Sequence, residues 1–310
     1  ARRFLESAGN APPVEVSAFE RLRLELNSRV CVVRALGRIA EQETGTLMTR
    51  GTFCDVTYAH YVVPSSEDEG RQVNVPKVWL TDDRRTEVEE LKYLPGAELI
   101  RPGQFLNLWR GMGVEPTHGS VAPWLELLQR QVPDEKLRKW VIQWFAYPLQ
   151  HLGAKLNTYI HLYGPPGTGK GAVTYPLIPV YGRNGVIIGK DQIGSAFNSV
   201  YATRQFVLLD EIHGGAEAGA LAISNRIKLL ATSPTLTVNK KGEPEYEVET
   251  FVNFVTNSNY SDSIKLDEGD RRACVIQFGT RDTMIAKEWF RDVYFPWADN
   301  GGAGALYGYL

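Results

Sequence analysis

The spacing of apolar residues changes character along this chain. Over residues 1–120 it falls into short alternating runs, as at Val30–Val33 and over 73–80, broken by Pro, Gly and charged turns. Alternation with frequent breakers predicts a mixed, strand-rich region. Over 122–152 the period becomes helical: Trp124, Leu125, Leu127, Leu128, Leu137, Trp140, Val141, Trp144 and Phe145 recur at helical spacing, which predicts an amphipathic helical segment. Trp140 and Trp144 then share one helix face, where packing is preferred to a base-stacking role. Further on, strands and helices alternate: strand 157–163, a glycine-rich turn, a helix from about Gly169, strand 186–188, helix 193–202, strand 206–209, helix 220–231, a hairpin about Lys240-Lys241-Gly242, and strands 251–256 and 274–278. Such alternation predicts an α/β class, a parallel sheet with helices on its faces.

Composition narrows the possibilities. The 310 residues are 43% hydrophobic and 23% charged, an ordinary globular balance with room for one large or two modest domains. No apolar run nears the roughly 20 residues of a membrane span, so no membrane partner and a cytoplasmic setting are expected. Cys31, Cys54 and Cys274 lie far apart without a Cys-x-x-Cys pair, so neither a disulfide framework nor a zinc ribbon is signalled. A formal net charge of −2 excludes a protein that coats nucleic acid over its whole surface, while leaving room for a local basic element. His60 and His118 are isolated, and Glu67-Asp68-Glu69 reads as a solvated loop rather than a metal site. A chain that starts at Ala1 and stops just after Gly301-Gly302-Ala303-Gly304 reads as a piece of a longer polypeptide.

The chemistry concentrates after residue 160. Gly164-Pro165-Pro166-Gly167-Thr168-Gly169-Lys170-Gly171 stands between an apolar strand and a helix, the context that makes a glycine-rich turn a phosphate-binding Walker A loop. Gly167 and Gly169 let backbone N–H groups turn inward, the helix offers its N-terminal end to negative charge, and Lys170 reaches the β and γ phosphates. Gly171 stands where a magnesium-binding Ser or Thr is usual, so water, Thr168 or Thr174 would have to serve. Some forty residues on, Phe206-Val207-Leu208-Leu209 delivers Asp210-Glu211, a Walker B signature in which Asp210 would hold Mg2+ and Glu211 would orient and deprotonate the attacking water. The strand over 251–256 ends in Asn257-Ser258-Asn259, and one of the two asparagines is the expected sensor of the γ-phosphate; the other reading is that both form Asx turns. Asp270-Arg271-Arg272 offers an arginine finger for a neighbouring subunit, or else a surface ion pair with Asp267 or Glu268. Lys240 and Lys241 at a hairpin tip suit nucleic-acid phosphates, or a plain solvated turn. Asn239-Lys240-Lys241-Gly242 lacks the carboxylate of a guanine-reading Asn-Lys-x-Asp, so GTP specificity is not supported.

In this order the set resembles a superfamily 3 helicase, and most of all the AAA+ helicase part of phage and plasmid primase-helicase replication proteins, whose Walker A often carries Gly after the Lys. Asn107-Leu108-Trp109-Arg110-Gly111 resembles an element that precedes the ATPase domain in such proteins. The resemblance covers about 100–310. Together with the apolar pattern it gives a mixed accessory region over 1–120, a helical linker over 121–153 and an AAA+ domain over 154–310. It also implies ATP and Mg2+ as cofactors, a ring that is typically a hexamer, single-stranded DNA moved by Lys240 and Lys241, and a linked or associated primase or polymerase. The rival expectations are an AAA+ switch or loader that remodels a protein partner without unwinding DNA, and a degenerate ring subunit that does not hydrolyse ATP.

Overall fold

A computed structural model describes residues 17–65, 70–211, 217–280 and 284–310, so the acidic run Glu67-Asp68-Glu69 lies outside the described residues. The chain divides into two compact units, one of residues up to Glu90 with Ile100–Leu106, the other of Leu91–Leu99 with Asn107–Leu310.

In the first unit, helix α1 (Ala18–Arg29) starts where the Ser17 hydroxyl accepts the Glu20 N–H, an N-cap that satisfies a donor left free by helix geometry. Strands β1 (Val30–Val33), β2 (Arg38–Glu41) and β3 (Leu47–Met48) follow, then β4 (Val62–Pro64), β5 (Gln72–Asn74), helix α2 (Val75–Trp79) and β6 (Glu87–Val88). The sheet order is β3-β2-β1-β6, packed over Leu26, Phe53, Tyr58 and Trp79. The run over 73–80 is not a strand throughout. After Asn74 it turns helical, because the Asn74 side chain accepts the Lys77 N–H at 3.1 Å and Pro76 sits in the first turn, where its missing N–H goes unnoticed. Short strands β7 (Glu90–Lys92), β8 (Ile100–Arg101) and β9 (Phe105–Asn107) come next.

The second unit holds helices α3 (Ala122–Gln131) and α4 (Glu135–Gln150) and a five-stranded sheet of β10 (Tyr159–Tyr163), β11 (Gly185–Ile188), β12 (Phe206–Leu209), β15 (Asn253–Ser258) and β16 (Ala273–Gln277). All pairings are parallel and the order is β11-β12-β15-β10-β16. The helical segment expected over 121–153 belongs to this unit. One face of the sheet packs on Trp124, Leu127, Phe145, Val173 and Tyr294; the other packs on Ile193, Tyr201, Ile227 and Phe254. β12 and β15 are buried at every position, as central parallel strands covered on both faces must be. Trp144 is buried and donates its indole N–H to Thr158 at 3.0 Å, whereas Trp140, on the same helix, is 37% exposed and is not core.

Two expected helices are broken. The one from Gly169 divides into α5 (Lys170–Thr174) and α6 (Leu177–Tyr181), because Pro176 brings no N–H. The one over 193–202 divides into α7 (Lys190–Gly194) and α8 (Ser199–Ala202), with the Ser195 hydroxyl accepting the Phe197 N–H between them. Helix α9 (Glu217–Thr232) and the antiparallel hairpin of β13 (Thr235–Val238) and β14 (Tyr246–Glu249) complete the core region. The sequence pattern did not reveal the run of helical turns over 287–309, which includes α10 (Lys287–Trp289), α11 (Phe295–Trp297) and α12 (Ala303–Tyr309).

Candidate functional site at the glycine-rich loop

Register assembles the site. β15 lies between β10 and β12, pairing Leu162 with Asn257 on one side and Leu209 with Thr256 on the other. The C-terminal ends of these three strands therefore deliver the glycine-rich loop, the two asparagines and Asp210-Glu211 to one edge of the sheet, where parallel α/β folds place ligands. A cleft of about 440 Å³ there is lined by Pro166–Ala172 in sequence, by Asp210, Glu211, Asn257, Ser258 and Asn259, and by Lys287, Phe290 and Phe295.

The loop needs its glycines for close approach. Gly164, at φ 145°, would put a Cβ 2.1 Å from the Phe278 carbonyl oxygen, and Gly169, at φ 92°, would put one 2.8 Å from the Phe290 ring. At Gly171 a Cβ would meet nothing within 4 Å, so the position of the usual Ser or Thr hydroxyl is open. Neither suggested substitute stands free to fill it: Thr168 donates to the Pro165 carbonyl at 2.9 Å, and Thr174, fully buried, donates to the Gly171 carbonyl at 3.1 Å. A five-residue α5 also contributes little helix dipole, so the loop's own N–H groups and Lys170 supply the positive character.

Lys170 is 8% exposed and folds over the loop, its ammonium donating to the carbonyls of Gly164 (2.7 Å) and Pro165 (2.9 Å) and to Asn259 Oδ1 (3.1 Å). Burial lowers its pKa from the ordinary lysine value, and the nearby Asp210 charge opposes that shift. Asn257 is buried and donates to Asp210 Oδ1 at 3.2 Å, while its own Oδ1 has no hydrogen-bond partner. A buried acceptor in that state costs free energy until a donor reaches it. Glu211 is exposed and is the sole non-glycine residue with positive φ, 52°, among the described residues; such strain is held mainly where function requires it.

The arginines do not join this cleft. Arg271 and Arg272 precede β16, whose first residue pairs with Tyr159 at the start of β10, so they sit at the opposite end of the strands, roughly 15 Å away at about 3.3 Å per residue. Arg272 is tied to Asp270, Nε to Oδ1 at 3.0 Å, and Lys228 reaches Asp267 at 2.6 Å; Arg271 is exposed. The ion pair is thus made with Asp270 rather than Asp267 or Glu268. At the hairpin tip Lys240 pairs with Glu243 and Lys241 is exposed. Asn107 is fully buried and brackets a turn, its Oδ1 accepting the N–H groups of Leu94 and Trp109. The Trp109 indole donates to Gln205 beside β12 at 2.9 Å, so this element is a staple and does not line the cleft. Lys287, Phe290 and Phe295 line the cleft but were not singled out from the sequence.

A family model described only as a family of unknown function, DUF5906, matches residues 162–272. The DNA primase-polymerase of Nitratiruptor phage NrS-1 is 28% identical over 158 residues, which is 51% of this chain and 22% of that protein. The apo structure of the NrS-1 C-terminal region superposes with a TM-score of 0.72 at 19% identity, over 94% of this chain and 68% of that one. The two share a fold. The chain is thereby related to part of a phage DNA-replication protein, and the sequence match spans less than a quarter of that protein's length.

Proposed function

We propose that the chain is a helicase motor of superfamily 3 type, which binds ATP with Mg2+ in the cleft and uses hydrolysis to move on single-stranded DNA in phage or mobile-element replication. The observation that carries this reading is the convergence of Lys170, Asp210, Glu211, Asn257 and Asn259 on one cleft beside a loop whose Gly164 and Gly169 leave no room for a side chain. The residues fit a triphosphate and a metal. Lys170 and the loop N–H groups offer positive charge, Asp210 an anionic ligand, and the unpartnered Asn257 Oδ1 an acceptor for a water hydrogen.

Bound ATP–Mg2+ would supply the phosphoanhydride and the charge neutralisation that phosphoryl transfer needs. Lys170 would exchange its loop carbonyls for phosphate oxygens, and Asp210 would hold the metal without help from a hydroxyl at Gly171. Asn257 orients the attacking water and Glu211 accepts its proton. Asn259, bonded to Lys170, positions that lysine. Arg271, exposed and remote from the chain's own cleft, serves a neighbour's nucleotide in a ring, typically a hexamer, while Arg272 is held by Asp270. Lys241 leads the contact with DNA phosphates and Lys240 assists. The measurement is ATP hydrolysis with and without single-stranded DNA, with oligomeric state recorded in the same samples: DNA-stimulated turnover by a ring supports the motor, and DNA-indifferent turnover by a monomer refutes it.

One observation favours a second reading, a switch that remodels a protein partner. Beyond the two lysines, Glu245, Glu247 and Glu249 are exposed on the hairpin and Glu243 holds Lys240. That surface attracts basic protein as readily as it admits DNA.

A further inference from the structure

The glycine-rich loop, the carboxylates and the 257–259 strand end form one side of the cleft. The other wall comes from the C-terminal helical turns, and its character is aromatic. Phe290 packs beneath Gly169, 8% exposed; Phe295 lines the cleft at 38% exposure and meets Tyr175, itself 45% exposed, edge to face at 5.5 Å between ring centres. Tyr175 is held in place by its hydroxyl, which donates to Asp299 at 2.8 Å. The wall is anchored to the loop, because the buried Tyr294 hydroxyl donates to the carbonyl of Ala172, a residue that lines the same cleft.

Phe295 and Tyr175 together present adjoining, partly exposed aromatic faces beside the cleft. Beside a phosphate-binding loop, an aromatic face of this kind suits a flat heteroaromatic ring. Among the described cleft-lining residues on this wall, Lys287 alone carries a polar side chain. The described residues of the wall therefore offer stacking and one donor, and among them are none of the paired donors and acceptors that read the hydrogen-bonding edge of a base.

We infer that Phe295, flanked by Tyr175 and Phe290, is the platform on which the base of a nucleoside triphosphate stacks, and that this site selects for a base without selecting strongly among bases. The inference rests on the triphosphate reading of the loop and goes beyond it in naming what binds the other end of the ligand. Purines bind better than pyrimidines through their larger stacking area, and ATP and GTP bind within about tenfold of each other, since hydrogen-bond readout is what produces larger ratios.

The test is calorimetric titration of the whole chain, with magnesium, using ATP, GTP, CTP and inorganic tripolyphosphate, on the wild type and on Phe295→Ala and Phe295→Trp. Phe295→Ala is expected to weaken ATP binding by about tenfold or more, the size of a lost base–aromatic stack, to leave tripolyphosphate binding unchanged, and to be rescued in Phe295→Trp. Equal losses for ATP and tripolyphosphate, no loss at all, or a wild type that binds tripolyphosphate as tightly as ATP would each overturn the platform while leaving the loop intact. A wild type that binds none of the four ligands overturns the triphosphate reading itself, and the platform with it.

Discussion

The Tyr294 hydroxyl donates to the carbonyl of Ala172, four residues before Pro176. In an uninterrupted helix that carbonyl would accept the N–H of residue 176. Proline has none; the Tyr175 N–H reaches that carbonyl at 3.3 Å, and Tyr294, fully buried, adds a second donor. Burial holds the phenol protonated by raising its pKa far above the ordinary tyrosine value, so it remains a donor at every pH the protein meets. The break in the helix after the loop and the closing wall of the cleft are in this way one device.

Tyr294→Phe leaves the Ala172 carbonyl buried without this donor. A loss of about 0.5–1.5 kcal/mol in stability is expected from the lost hydrogen bond, since the Tyr175 N–H still reaches that carbonyl, measured by denaturant unfolding, together with weaker nucleotide binding. An unchanged unfolding midpoint and unchanged affinity would show that the anchor is idle.

The two asparagines should separate kinetically. Asn257 touches Asp210, and Asn259 touches Lys170. Asn257→Ala is expected to lower kcat by roughly 10²-fold, as removal of one positioned polar group does, with KM little changed. Asn259→Ala is expected to act mainly on KM. Steady-state ATPase assays on both variants decide the matter, and a reversed pattern would exchange the roles.

His161 lies in β10, 2% exposed, beside the Thr256 hydroxyl at 2.8 Å, and burial pushes its pKa down to about 4. Between that value and the ordinary 6.5 the unfolded chain binds the proton that the native chain refuses, so stability is full above about pH 6.5 and falls as pH drops toward 4. The loss approaches roughly 3 kcal/mol at its acid limit. His161→Gln should flatten this part of the stability curve, and an equally steep fall in the variant would assign the effect to other groups.

Lys241 is exposed, while Lys240 is engaged by Glu243. Lys241→Ala is therefore expected to weaken single-stranded DNA binding more than Lys240→Ala, and to reduce the slope of log affinity against log salt by about one phosphate contact. Fluorescence anisotropy at several salt concentrations measures both quantities. Equal and negligible effects would remove the hairpin from the DNA path.

The strand ends were legible because apolar runs such as Phe206–Leu209 stop abruptly at carboxylates or amides, and the glycine-rich loop because its residues have few other uses. Helix breaks at Pro176 and Ser195 were harder to see, since local propensity on either side remains helical. The aromatic wall was missed for a different reason. Phe290, Tyr294 and Phe295 carry no motif in sequence, and only tertiary packing brings Phe290 and Phe295 to the cleft. Asn107 likewise gave no sign that its amide would bracket a turn, because its partners are backbone groups up to thirteen residues away.

The most direct measurement is magnesium-dependent ATP hydrolysis by the wild type and by Glu211→Gln, with ATP binding measured on the same preparations. A motor built on Lys170, Asp210 and Glu211 is expected to hydrolyse ATP as the wild type, and to keep binding ATP while losing at least about 10²-fold in turnover as Glu211→Gln. Wild-type protein that binds ATP without hydrolysing it, or a variant that hydrolyses as fast as the wild type, would contradict the account.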